Sequence, residues 1–153
     1  MVYRAFGTPD AEASARRLAA IARERGLLLL VGADAGLAGR AGARGVHLPE
    51  RLAYRAGAVR RMRHGWIVTA AAHSARAAHL ALRAGADAVV VSTAFESRSA
   101  SAGRSIGPVR LAALARGLRG PVYALGGITN KTARRLKDAG LVGLAAVEGL
   151  IRT

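Results

Sequence analysis

The chain has 153 residues, 52% of them hydrophobic, 22% charged and none of them cysteine. That is enough apolar material for one buried core in a single domain spanning 1–153, and it excludes disulfides and thiol catalysis. The net charge of +15 comes almost wholly from arginine, with lysine only at Lys131 and Lys137.

No apolar run approaches the roughly 20 residues that cross a bilayer, and the N-terminus lacks the signal-peptide pattern, so a soluble, cytoplasmic protein with no membrane partner is expected. Arginines spread over almost every helix read as a solvated outer face that attracts phosphorylated small molecules. The densest cluster, Arg60-Arg61-Met62-Arg63-His64, lacks interleaved aromatic residues, and aromatics make up only 4% of the chain, which argues against a stacking platform for single-stranded nucleic acid.

In chain order, strands are predicted at about 2–6, 27–32, 45–48, 66–71, 88–92, 122–126 and 143–147, and helices at about 9–25, 34–41, 50–62, 74–84, 107–118 and 130–139. Asp10, Ser74 and Asn130 stand at N-cap positions, and Pro9 and Pro108 suit a first turn. Gly26, Gly42, Gly85, Gly120 and Gly140 each close an Ala/Arg-rich segment before an apolar run, the pattern of a helix stopped by a left-handed glycine. The strands are continuous apolar runs covered on both faces, as in a parallel sheet flanked by helices. Seven βα units in a row point to an α/β fold of the (β/α)8 barrel type lacking the first βα unit and most of the last helix.

Residues 122–130, Val-Tyr-Ala-Leu-Gly-Gly-Ile-Thr-Asn, combine a strand, a glycine pair and a polar helix start. Backbone N–H groups at Gly126 and Gly127 can approach an anion closely, and the following helix start points its unpaired N–H groups the same way. Tight turns without a ligand use the same pair, so the motif alone leaves both readings open. Of the histidines, His73 sits at the C-terminal end of a strand, where barrel sites form, and is the candidate catalyst. His47 lies within a strand and reads as a hydrogen-bonded core residue, and His79 lies on an exposed helix face.

The order Gly45-Val46-His47-Leu48, His73-Ser74, Gly85-Ala86-Asp87-Ala88, Phe95-Glu96-Ser97-Arg98-Ser99 and Ala124-Leu125-Gly126-Gly127-Ile128 closely resembles the thiamine-phosphate synthase family and its thiazole tautomerase relatives. The resemblance covers nearly the whole chain. It implies a barrel that joins a pyrimidine diphosphate to a thiazole phosphate in thiamine biosynthesis, with Mg2+ as cofactor. The family's pyrophosphate-gripping arginine matches Arg4, its hydroxyl pair matches Ser97 and Ser99, and its glycine pair matches Gly126 and Gly127. A guanidinium fork suits a two-oxygen phosphate contact. The alternative for Arg4 is a surface arginine on an exposed strand, and for the serines a flexible polar loop.

The departures concern chemistry. The family's Mg2+-binding Asn-Asp falls at Gly32-Ala33 and its second Mg2+ aspartate at Leu52, which leaves no metal ligand at the family positions; Asp34 and Glu50 nearby are possible substitutes. The phosphate-loop lysine falls at Ala100, with only Arg104 nearby; a small hydroxyl residue falls at Ala71, and a serine at Glu148. The tautomerase histidine falls at Thr93. Three readings follow: a synthase-like transferase with an eroded metal site, a catalytically degenerate barrel that keeps its phosphate cradle, and a basic RNA-interaction module. An incomplete barrel also exposes two strand edges, from which a homo-oligomer is expected.

Overall fold

Seven strands, β1 (Val2–Tyr3), β2 (Leu30–Gly32), β3 (Gly45–Leu48), β4 (Ile67–Ala72), β5 (Ala88–Ser92), β6 (Val122–Leu125) and β7 (Gly143–Ala145), each pair in parallel with the next in chain order. The computed structural model describes residues 1–5, 7–97 and 103–147. Between the strands run α1 (Ala11–Glu24), α2 (Ala35–Arg40), α3 (Ala56–Met62), α4 (Ala75–Arg83), α5 (Pro108–Gly117) and the short α6 (Asn130–Ala133). The sheet curls into a partial (β/α) barrel, which is the architecture expected from the glycine-spaced repeats.

Register explains the core. Val31, Val46 and Val68 align across β2, β3 and β4, and Ala70, Val89 and Val122 across β4, β5 and β6. These residues are buried in one cluster with the helix residues Ala15, Ala19, Ala38, Ala56, Ala78 and Leu111. Small alanines on the helices let their backbones lie close to the branched strand residues. Because side chains alternate across a strand, Gly32, His47, Thr69, Ala71, Val90 and Ser92 fall on the other, concave face. That face mixes the polar His47, Thr69 and Ser92 with small or apolar residues.

The helix stops hold at four of the five glycines, with φ of +64° at Gly26, +68° at Gly42, +100° at Gly85 and +77° at Gly140. Gly120 differs: it precedes Pro121, which disfavours helical backbone, and a Cβ there would lie 2.7 Å from Leu82 Cδ2. Its role is close packing against α4.

Several boundaries shift. The predicted helix over 50–62 is a 3-10 turn at Glu50–Arg55 followed by α3, and the helix over 130–139 is the single turn α6 followed by a 3-10 turn at Arg134–Leu136. Its N-cap is Thr129, not Asn130, because Thr129 and Thr132 form a reciprocal capping box. Asp10 occupies the N-cap position of α1 without a side-chain cap bond, Pro9 precedes it, and Pro108 opens α5 as expected. Strand β1 is two residues and β7 three, shorter than predicted, since each has a sheet neighbour on one side only among the described residues.

Candidate active site at the C-terminal end of the sheet

In a parallel α/β sheet, the C-terminal strand ends and the loops that follow them share one edge, where ligands bind. Arg4 follows β1, His73 follows β4, Ser97 lies in the loop after β5, and Gly126 and Gly127 follow β6. The fold therefore puts these predicted residues on one end of the sheet. Ser99 lies outside the described residues, as do Ala100 and Glu148.

Arg4 reaches over β2: a Cβ on Gly32 would stand 3.1 Å from Arg4 Cγ, so glycine leaves room for the arginine stem. Its charge faces His47, whose pKa is pushed down to about 4, first by burial and then by the Arg4 guanidinium. His47 Nδ1 lies 2.9 Å from Thr69 Oγ1, the residue directly across from it in register. His47 is thus the hydrogen-bonded interior residue expected, held neutral beside a cation.

His73 is exposed and held from two sides. Its backbone N–H donates to Glu50 Oε2 at 2.6 Å, and its Nδ1 lies 3.1 Å from both the carbonyl and the hydroxyl oxygen of Ser92. Nδ1 can donate to the carbonyl or accept from the hydroxyl, so in either case Ser92 fixes the ring through this nitrogen. Neither Glu50 nor Ser92 was identified as a support of His73 from sequence. Ser92 was recoverable, because β4 and β5 end side by side.

The glycine pair has a packing role. Gly126 and Gly127 have φ of +101° and +62°. A Cβ on Gly126 would lie 2.7 Å from Thr93 Cγ2, and one on Gly127 2.8 Å from Phe95 Cβ. The loop after β5 lies against them, with Ala94 N–H donating to Leu125 O and Phe95 N–H to Gly126 O. This contact seats residues Thr93 to Glu96, just before Ser97, against the glycine turn. Arg135 lies over the Phe95 ring, 5.3 Å from its centroid, and ties the last turn to the same loop. Thr129 and Thr132 amides are already taken by the capping box, which leaves fewer donors at this turn than a long helix start offers. Thr93, at the tautomerase histidine position, is 3% exposed beneath Gly126 and is shut off from a ligand.

The residues present do not fit a Mg2+ site. Asp34 Oδ1 accepts from Leu37 N–H at 2.8 Å and caps α2, Glu50 is engaged with His73, and Leu52 packs against the core. Mg2+ requires several oxygen ligands in near-octahedral array, and no group of three acidic, histidine or cysteine side chains that could hold a metal occurs among the described residues. Each of the two substitutes considered from sequence has one carboxylate oxygen engaged in a structural hydrogen bond. No helix among the described residues is long and apolar enough to cross a membrane.

Residues 2–150 match the family model described as thiamine monophosphate synthase. The chain is 32% identical over 133 residues to putative thiamine-phosphate synthase 2 of Aquifex aeolicus, covering 87% of this chain and 71% of that protein. It is 35% identical over 143 residues to the thiamine-phosphate synthase of Thiobacillus denitrificans, covering 90% of this chain and 66% of that one. Its fold superposes on thiamine phosphate pyrophosphorylase from Pyrococcus furiosus with a TM-score of 0.80 at 24% identity, covering 95% of this chain and 70% of the other. The chain thus spans about two thirds of the length of these relatives. Match, identity and site order agree: the chain belongs to the thiamine monophosphate synthase family, transferases of thiamine biosynthesis.

Proposed function

We propose that this chain carries out its family's transfer, joining a pyrimidine methyl diphosphate to a thiazole phosphate at the C-terminal end of the sheet. The observation that supports this best is the shared edge holding Arg4, His73, Ser97 and the Gly126-Gly127 turn. The pyrimidine methylene–oxygen bond breaks, pyrophosphate leaves with the electron pair, and the thiazole nitrogen forms the new carbon–nitrogen bond. Arg4 takes up charge on the departing pyrophosphate, while Ser97, Ser99 and the glycine amides hold the thiazole phosphate. His73, whose ring is held by Ser92, contacts the pyrimidine in this reading. No step is assigned to a metal, since the side chains at its family positions do not fit one.

The missing carboxylates favour a second reading, a barrel that binds phosphorylated thiazole without turning it over. Incubating the 153-residue chain with both substrates and following thiamine phosphate by chromatography separates the two. Under the transferase reading, product forms and Arg4→Ala lowers turnover by about one to two orders of magnitude, the loss of charge-assisted bonds of roughly 1.5–3 kcal/mol. Turnover unchanged by Arg4→Ala removes Arg4 from the site. Thiazole phosphate binding without product establishes the second reading.

A further inference from the structure

Ala72 pairs with Val91 in register, which sets His73, the next residue, beside Ser92 at the C-terminal end of the sheet. His73 Nδ1 there meets two oxygens of Ser92, the carbonyl and the hydroxyl, each at 3.1 Å. The two make opposite demands. A carbonyl oxygen only accepts, so it favours the tautomer with the hydrogen on Nδ1 and a lone pair on Nε2. A hydroxyl also donates, so it can serve an unprotonated Nδ1 and leave the hydrogen on Nε2. Nε2 itself has no hydrogen-bond partner among the described residues, and the side chain is exposed.

The frame around the ring is fixed independently of that choice. The His73 backbone N–H donates to Glu50 Oε2 at 2.6 Å, and Ser92, half-buried, ends β5 and pairs in register with Leu125 of β6. The imidazole can therefore exchange tautomers in place, with the Ser92 hydroxyl hydrogen turning to follow. Only what Nε2 presents to a ligand changes, a hydrogen or a lone pair.

The chemistry of the ligand selects between the two, on the transferase reading above, from which this inference starts. Pyrimidine ring nitrogens and diphosphate oxygens are hydrogen-bond acceptors. A lone pair on Nε2 repels such atoms, whereas an Nε2–H bonds to them. We propose that Ser92 is a positioning residue for this reaction: its hydroxyl donates to His73 Nδ1 in the complex, so that Nε2–H donates to an acceptor atom of the pyrimidine diphosphate. In the free chain the Ser92 carbonyl holds the hydrogen on Nδ1. Binding thus removes one proton from Nδ1 to solvent, returns one to Nε2 and leaves the ring neutral.

NMR of the full chain with isotopically labelled histidine nitrogens reads the tautomer directly, and His73→Gln assigns the His73 signals. The spectra are expected to show the hydrogen on Nδ1 in the free chain and on Nε2 once pyrimidine methyl diphosphate is bound. In Ser92→Ala, which keeps the carbonyl and loses the hydroxyl, the hydrogen is expected to stay on Nδ1 in both states. Calorimetry with the same compound is expected to show binding weakened about three- to tenfold by Ser92→Ala, and within about twofold of unchanged when Ser92→Ala is added to His73→Gln. The proposal alone is overturned if the His73 signals shift on binding with the hydrogen still on Nδ1 or with both nitrogens protonated. An equal loss from Ser92→Ala with and without His73 overturns it too, since Ser92 would then not act through the ring. A chain that does not bind the compound, or binds it with the His73 signals unmoved, takes His73 out of the site and overturns the functional reading together with the proposal.

Discussion

His47 shows how much one side chain on the concave face can control. Its pKa is lowered from the usual 6.5 to about 4, so the unfolded chain takes up a proton that the folded chain refuses. Its contribution to stability is present above the unfolded pKa of 6.5 and is lost as pH falls towards the folded value of about 4. Between pH 7 and pH 4.5 that amounts to about 2–3 kcal/mol. Urea denaturation at the two pH values is expected to show this loss in the natural chain and to show most of it gone in His47→Gln, whose amide can still meet Thr69. An equal pH dependence in both proteins would mean that His47 does not resist protonation.

Gly127 makes the complementary point. A side chain there meets Phe95 and requires a φ of +62°, so Gly127→Val is expected to cost about 1–3 kcal/mol and to push the β5 loop off the glycine turn. Thermal melting reads the first effect, and calorimetry with thiazole phosphate reads the loss of binding. Unaltered anion affinity in the variant would remove the turn from the site.

At the scale of the elements, the strand–helix repeat was readable because each level of the sequence agreed. Apolar runs, terminal glycines and capping residues such as Ser74, whose hydroxyl accepts from Ala77 N–H, all indicated the same units. What could not be read were tertiary dependences. Thr129 rather than Asn130 caps α6 because Thr132 answers it, and Gly120 is glycine because Leu82 is near. Likewise, Glu50 resembled a spare ligand until the 3-10 turn brought it to the His73 amide.

That bond joins the turn after β3 to the turn after β4 and fixes the backbone of the candidate catalyst. Replacing Glu50 with Ala is expected to lower stability by about 1–3 kcal/mol, as removing an acceptor from an ionic hydrogen bond does, and to reduce activity through His73 placement. A chemical denaturation curve identical to that of the natural chain would show that the bond carries no such weight.

At the scale of the whole molecule, β1 and β7 each have a strand neighbour on one side only among the described residues, and Val2 and Leu144 are each 42% exposed. Parallel edges carrying apolar side chains recruit further strands. The 153-residue chain is therefore expected to self-associate, with sedimentation giving a mass above 15.8 kDa that depends on concentration. A strictly monomeric particle at all concentrations would contradict this.

The metal positions bear most directly on function. Ala33 sits at a φ of +64°, a conformation that aspartate tolerates better than alanine, so an Ala33→Asp substitution suits the backbone there. Leu52 faces the core instead of offering oxygen. We propose that this face keeps the family's phosphate-handling groups without its metal ligands. The direct measurement is the rate of thiamine phosphate formation, with and without Mg2+, by the natural chain and by the Ala33→Asp, Leu52→Asp double variant. The expected result is a natural chain far slower than about 1 s⁻¹ and insensitive to Mg2+, with Mg2+-dependent activity rising in the double variant. A natural chain that already turns over at about 1 s⁻¹ or faster and loses that rate on Mg2+ removal would contradict the account and return Asp34 and Glu50 as metal ligands.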